Sequence, residues 1–441
     1  MKRLLPLLLC AVLALFCATT AQAAGVSITL TASEYALHYA FDAGAQDPFV
    51  ILEYATPAEK GWMMLYSEDG HFEGDVSLAY SGAGGKTSVA LTSARTTGSI
   101  GKASTTLPKA ADYQKPTGKS NAKVMDFVLT ETPEGFHYAF NAAGTDYMLL
   151  YWRSKEQTVT QPVYPDENGH YEGDVISNLT FARTQFTVQV KSGSGSMKKE
   201  ATVRKGYQAP EAPQRQEGRL SGVTVCIDAG HQENGRFVNE PIGPGLTGST
   251  SGKGGMAQGT KTNRRESIVC LEIGMLLRDE LLRQGANVVM TREDQTTFHT
   301  NIERCEIAEA GGAQIMLRLH CNNSSNRSKR GIQVYGPLNS DYAKAVADAD
   351  TYREMGQKVL DAMKTRVGMT LANSTGMVRL NDNYVGNNWA KMMCFLVEMG
   401  YLSNPAEEYL LVTPVYQQWL AEGMADGVYE IAVARGWVQA Q

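Results

Sequence analysis

The first half of the chain repeats itself at a fixed distance, and this repeat restricts the possible folds more than any other feature. His38-Tyr39-Ala40-Phe41 recurs as His137-Tyr138-Ala139-Phe140, and Gly70-His71-Phe72-Glu73-Gly74-Asp75-Val76 recurs as Gly169-His170-Tyr171-Glu172-Gly173-Asp174-Val175. Both offsets are 99 (137 − 38 and 170 − 71), so one module has been duplicated in register. Each copy consists of short segments rich in Thr, Val, Tyr and Phe, separated by Gly, Asp and Asn turns. Along Gln185–Lys191, Phe186, Val188 and Val190 share one face, the period-two pattern of a half-buried strand. The chain is therefore expected to hold two tandem all-β sandwich-like repeats, over 25–115 and 122–205, each of roughly 85 residues. Stretches near 85–120 and 192–204, rich in Gly, Ser, Thr and Lys, are expected to be loops. Four of the seven histidines occupy matching positions in the two copies, which favours a scaffold role over a ligand role. Neither copy carries a specific carbohydrate-binding signature.

At 441 residues the chain is long enough for two or three domains. Lys2 and Arg3, the apolar run Leu4 to Ala18, and Ala21-Gln22-Ala23 have the three-part form of a cleaved secretory signal, giving a signal peptide over 1–24. A lipid attachment at Cys17 would want a small residue before it, and Phe16 is bulky. No later apolar run is long enough to span a bilayer. The mature chain is thus expected to be exported and soluble, secreted or in the cell envelope, with no integral membrane span. Net charge is −5, and loss of Lys2 and Arg3 takes it to about −7 (−5 − 2). A mildly acidic chain argues against nucleic acid as a partner. Cys226, Cys270, Cys305, Cys321 and Cys394 remain after the signal, an odd number with no CxxC pair, which signals neither a disulfide framework nor a thiolate metal site.

Residues 206–219 are rich in Gln, Pro and charge and mark a linker. From Leu220 onward, over 220–441, apolar strands alternate with helical segments. Strands are expected at Val223 to Ile227, Val288 to Thr291, Gln314 to Leu319 and Met392 to Val397. Helices are expected at Arg264 to Gln284, Ile302 to Ala310, Asp341 to Arg366 and Val415 to Arg435. That grammar predicts an α/β domain, a mostly parallel sheet with helices on both faces.

Three of these strands end on a polar residue able to hold a metal. Val-Cys-Ile-Asp-Ala-Gly leads into His231, Ile-Met-Leu-Arg-Leu into His320, and Cys-Phe-Leu-Val into Glu398. Ligands of open parallel sheets bind at the carboxyl ends of strands, so the three side chains converge on one rim, and Glu266 in the first turn of the next helix can join them. Two imidazoles and a carboxylate make a tetrahedral zinc set with a position open to water, and a second carboxylate nearby would serve as general base.

Together, Asp228-Ala-Gly-His231, Arg265-Glu266-Ser267, Leu319-His320-Cys-Asn322 and Leu396-Val-Glu398-Met-Gly-Tyr-Leu-Ser-Asn404 resemble the zinc-dependent N-acetylmuramoyl-L-alanine amidases of the amidase_3 type. Val288-Val-Met-Thr-Arg292 is similar to the family's strand ending in arginine, and Arg304 lies where the family places an arginine before the second histidine. The resemblance implies that His231, Glu266 and His320 bind Zn2+ and that Glu398 is the catalytic base. It implies hydrolysis of the amide between N-acetylmuramic acid and the L-alanine of the stem peptide, with peptidoglycan as partner. Arg292, Arg318, Asn322 and Asn404 are candidates for contacting substrate. Two positions depart from the family pattern: Gln232 replaces a common Gly, and Arg318 stands where a small residue is usual. His299 and Glu272 read as ordinary surface residues. The segment from Glu233 to Thr262 holds eight glycines in 30 residues and is expected to border the cleft. Asp341 to Arg366 reads as a packing helix, with an autoinhibitory cover as the alternative. Two other functions compete: a zinc peptidase acting within the stem peptide, and a non-catalytic cell-wall-binding protein. No sequence feature names a regulatory protein partner.

Overall fold

The computed structural model describes residues 19–21, 25–45, 47–78, 80–94, 98–111, 123–132, 135–143, 147–153, 157–176, 185–192, 196–204, 210–232, 238–250, 255–262, 264–368 and 378–440. Most of the expected signal segment lies outside them; Thr19–Ala21 forms a short strand antiparallel to Ile28–Ala32. The chain divides into two compact units. One comprises Met1–Thr130, His137–Asp174 and Phe186–Thr202; the other comprises Glu131–Phe136, Val175–Gln185 and Val203–Gln441.

The first unit is all β. Ile28–Ala32, Ala36–Asp42 and His71–Ser77 form one sheet of the first copy, and Glu59–Tyr66, Phe49–Ala55, Gly85–Ser93 and Ser99–Leu107 lie adjacent, in that order, in another. Ile28, Leu30, Leu37 and Phe41 from the first sheet share a core with Val50, Leu52, Val89 and Leu91 from the second. The second copy repeats the strand order, and Phe41 stacked on Phe72 at 4.9 Å has its counterpart in Phe140 stacked on Tyr171 at 4.6 Å. One feature is not local to either copy. Gln157 pairs with Gly61, Thr158 with Lys60 and Val159 with Glu59, which joins four strands of each copy into a single eight-stranded sheet.

The stretches expected to be loops near 85–120 and 192–204 contain the strands Gly85–Ser93, Ser99–Leu107 and Met197–Arg204. Small and β-branched residues alternate there, so that Thr87, Val89 and Leu91 point inward. The matching histidines form polar ladders on an outer face. His38 Nδ1 meets Asp75 at 3.1 Å and its Nε2 meets Glu73 at 3.3 Å; His137 meets Asp174 at 2.9 Å and Glu172 at 3.2 Å.

The second unit carries a six-stranded mixed sheet. Its strands are β1 (Thr224–Ala229), β2 (Asn287–Met290), β3 (Ile315–Asn322), β4 (Gln333–Gly336), β5 (Arg379–Leu380) and β6 (Met393–Tyr401), in spatial order β2-β1-β3-β6-β4-β5. β2, β1, β3 and β6 are mutually parallel, whereas β4 runs antiparallel to β6 and carries the parallel β5. The helices are α1 (Glu266–Arg283), α2 (Asn301–Ala310), α3 (Asp341–Val346), α4 (Ala349–Val367), α5 (Val385–Trp389), α6 (Glu407–Leu410) and α7 (Pro414–Ala434).

Side-chain alternation sorts them onto the two faces. Ile227, Ala229 and Leu319 approach Gly274 of α1, while Cys226, Met316 and Cys394 share a cluster with Cys305 and Ala308 of α2. The five cysteines among the described residues are free and buried, acting as small apolar residues. α2 begins with a capping box, Thr300 and Glu303 each closing the other's backbone N–H, at 3.2 and 2.7 Å. The expected long helix from Asp341 breaks at Ala347, because the Asp348 carboxylate accepts the Thr351 N–H at 2.7 Å and starts α4 afresh. α4 packs on α7 through Gly423 and Gly427, where an added Cβ would stand 2.7 Å from Met363 Cα and 2.6 Å from Val359 Cα.

Candidate metal centre

β1, β3 and α1 deliver three side chains to one point. β1 runs out at Ala229, and Gly230 then passes so close to β3 that a Cβ there would lie 2.8 Å from His320 Nε2. His231 follows with φ of 58°, a left-handed conformation that costs a non-glycine residue about 1–2 kcal/mol. Two buried arginines hold this turn by its carbonyls. Arg292 Nε donates to Ala229 O at 2.7 Å and its Nη2 to Gly230 O at 2.9 Å, while Arg304 Nη2 donates to His231 O at 3.1 Å. Gln232, in place of the family's Gly, gives its amide oxygen to the same Arg304 nitrogen.

His231 Nε2 lies 3.1 Å and His320 Nδ1 3.0 Å from Glu266 Oε1. The rings stand edge to face with centroids 4.9 Å apart, and one donor atom from each of the three residues falls within 4.8 Å of the others. Glu266 is fixed further by the N–H of Cys321, at 3.0 Å to Oε1, and of Ala257, at 2.8 Å to Oε2. Burial pushes its carboxyl up, but hydrogen bonds and charge from the two histidines outweigh that and hold it well below the usual carboxylate range. Burial also lowers the pKa of His320, despite Glu266, and so favours the neutral imidazole that can ligate.

Glu398 pairs with His320 across β3 and β6. Its Oε2 and His320 Nε2 are buried polar atoms with no hydrogen-bond partner among the described residues. Burial first, then the Glu266 charge, raise the Glu398 carboxyl well above its ordinary value. Orphaned buried polar atoms are costly, and a donor set of two imidazoles and a carboxylate suits a divalent transition metal.

The four residues proposed to contact substrate have partners inside the protein. Besides the turn, Arg292 donates to Ser267 O at 2.7 Å and Asp294 O at 2.8 Å, which commits its whole guanidinium to backbone. Arg318, also buried, donates to Asp228 at 2.9 Å and Asn301 at 2.6 Å. Asn404 donates to Arg327 O and Lys329 O and accepts from Ala406 N and Glu407 N. Asn322 remains half-buried and donates to Gln333 at 3.0 Å. Glu272, expected at the surface, is largely buried between Arg264 and Gln417, each at 3.1 Å.

Among the buried carboxylates to which the sequence reading gave no role, Asp228, Glu240 and Glu408 support the surroundings of the centre. Asp228, quoted as part of a motif but given no role, takes Thr291 Oγ1 at 2.8 Å and pairs with both Arg304 and Arg318. Burial raises its carboxyl, and the two guanidinium charges overcome this to hold it ionised. Glu240 caps α2, accepting Ile302 N at 2.8 Å and Asn301 Nδ2 at 2.7 Å. Glu408 accepts Lys261 N at 2.8 Å, Thr262 N at 3.1 Å and the Thr260 hydroxyl at 3.0 Å. The described parts of the glycine-rich segment are therefore anchored, and Ala257 reaches Glu266 itself. Their local signals differ: Asp228 ends an apolar strand, Glu408 opens a short helix, and Glu240 lies in a loop with no such mark.

An ionised carboxylate bridging two imidazoles, with an acid paired beside them at the strand ends of a mixed α/β sheet, defines the class of a metal-dependent hydrolase. Residues 225–430 match the family model described as N-acetylmuramoyl-L-alanine amidase. The chain is 26% identical over 231 residues to the germination-specific N-acetylmuramoyl-L-alanine amidase of Bacillus subtilis, covering 49% of this chain and 83% of that protein. It is 27% identical over 218 residues to the probable cell wall amidase LytH of Staphylococcus aureus, covering 48% of this chain and 60% of that one. Among solved structures, the apo N-acetylmuramyl-L-alanine amidase Ami1 of Mycobacterium abscessus aligns with a TM-score of 0.44 at 20% identity, over 48% of this chain and 99% of that one.

Proposed function

We propose that this protein is a zinc-dependent peptidoglycan hydrolase that cleaves the amide between the lactyl group of N-acetylmuramic acid and the L-alanine of the stem peptide. The observation that carries this reading is the meeting of His231 and His320 on the buried Glu266 carboxylate, with Glu398 paired alongside. Held by His231, Glu266 and His320, zinc would polarise the scissile carbonyl and lower the pKa of a water. Glu398 takes the proton of the attacking water and delivers it to the leaving nitrogen, the task of a general base. Arg292, Arg304 and Arg318 act as positioning residues behind His231, while Asn322 borders the cleft. Residues 220–441 form the catalytic domain, following the signal 1–24, the β repeats 25–115 and 122–205 and the linker 206–219. The site of action is the cell envelope. Among the described residues no helix is long and apolar enough to cross a membrane.

Digestion of purified peptidoglycan by the chain, with and without a chelator, tests this by mass spectrometry of the products. Stem peptides with a free L-alanine amine, lost on chelation and restored by zinc, are expected. Cleavage within the stem peptide would replace the reading with a peptidase, and sacculi left intact would replace it with a wall-binding protein.

A further inference from the structure

The strand registers draw a line of side chains leading away from the metal centre. His320 on β3 pairs with Glu398 on β6, and Glu398 pairs with Gln333 on β4. Two residues further along β4, Tyr335 pairs with Arg379 on β5. Paired residues, and residues two apart in one strand, project from the same face of a sheet. His320, Glu398, Gln333, Tyr335 and Arg379 therefore stand on one face and cross four adjacent strands.

Hydrogen bonds make the line a rigid floor. Gln333 Oε1 accepts from the Tyr335 hydroxyl at 2.9 Å, the Tyr401 hydroxyl at 3.2 Å and Asn322 Nδ2 at 3.0 Å. The ring of Tyr384 meets that of Tyr335 edge to face at 5.2 Å, and while burial raises the pKa of the Tyr335 hydroxyl, the Arg379 charge lies close enough to pull against that rise. Arg379 itself is exposed, and among the described residues it enters no ion pair. A guanidinium braced on one side by tyrosines and open on the other presents its fork to an incoming carboxylate, the anion whose geometry it matches best.

Length says which carboxylate. Three strand spacings separate β3 from β5, about 14 Å, and an extended peptide advances about 3.3–3.6 Å per residue. We propose that Arg379 is a carboxylate subsite of the amidase, binding a free carboxylate of the stem peptide about four residues beyond the cleaved amide. The peptide then runs from the metal centre across Gln333 and Tyr335 toward β5, and the glycan leaves on the other side. This rests on the amidase reading above, and it makes the enzyme selective for stem peptides that keep a negative charge at their far end.

The test uses the full zinc-loaded chain and a synthetic muramoyl pentapeptide, as the free acid and as its C-terminal amide. In the wild type, KM is expected to be lower for the acid by about tenfold, the scale of a charge-assisted hydrogen bond. Arg379→Ala should erase that preference by raising KM for the acid alone, leaving kcat and bound zinc unchanged, and Arg379→Lys should restore part of it. Equal KM values for acid and amide in the wild type, or an equal loss on both in Arg379→Ala, would overturn the subsite while leaving the amidase intact. If neither substrate is cleaved, the amidase reading fails instead. Calorimetric titration with the two free pentapeptides then decides the subsite alone: Arg379-dependent preference for the acid supports it, and equal binding rejects it.

Discussion

At the scale of single residues the centre depends on two properties of one turn, its lack of a side chain at Gly230 and the left-handed backbone of His231. Gly230→Ala would drive a methyl group into the His320 ring, so we expect weaker zinc binding by tenfold or more and a stability loss of about 1–3 kcal/mol, read by metal titration and denaturant melts. Wild-type zinc affinity in that variant would remove the close approach from the account. Glu398→Gln keeps the size and removes the proposed base: turnover should fall by at least about 10²-fold while bound zinc stays at the wild-type level. Loss of zinc along with activity would instead make Glu398 a ligand. The histidines and Glu398 were legible in the sequence because each ends an apolar run, a local signal. The placement of Arg292, Arg318 and Asn404 was not legible. Whether an arginine at a strand end meets substrate or a buried partner depends on what stands opposite it, and for Arg318 that is Asp228 on a strand 90 residues away.

Elements show the same division. Helices α1, α2 and α7 follow from apolar periodicity, with a capping box at α2, and each falls within a residue or two of its expected bounds. The short strands β4 and β5 carried no signal of their own, yet β4 places Gln333 beside Glu398 because it runs antiparallel to β6. Direction is a property of pairing, and a four-residue segment reads the same either way. The glycine-rich segment looked structureless for a related reason, since the order of its described parts comes from partners far away in sequence, the start of α2 for Glu240 and Glu408 for Lys261. Glu408→Gln turns a donor toward N–H groups that need an acceptor. We expect a loss of about 2–3 kcal/mol, faster amide exchange over residues 255–262, and weaker zinc binding through Ala257 and Glu266. Unchanged exchange in that segment would show that other contacts hold it.

The whole molecule adds a pH dependence that belongs to no single element. Glu407, buried after β6, accepts Gly331 N at 2.7 Å and Tyr401 N at 2.8 Å, yet burial raises its pKa from 4.5 to about 7, against the pull of those bonds and of Arg330. The folded state holds this proton up to about pH 7 and the unfolded chain releases it near 4.5. Its contribution to stability is therefore complete below pH 4.5 and is lost as pH rises through 7, a change of about 3 kcal/mol. Denaturant unfolding of the wild type and Glu407→Gln at pH 5 and pH 8 should show the wild type losing more stability on that rise than the variant; parallel losses would reject the assignment. At this scale the sequence by itself determined the duplication, the alternation of strand and helix after Leu220, and the residues able to bind a metal, because repeats, periodicity and strand-end chemistry are local patterns. Only the tertiary structure decided that the two copies share one eight-stranded sheet, that β4 and β5 run backward, and which arginines are enclosed, because strand pairing and charge burial bring together residues that no local pattern connects.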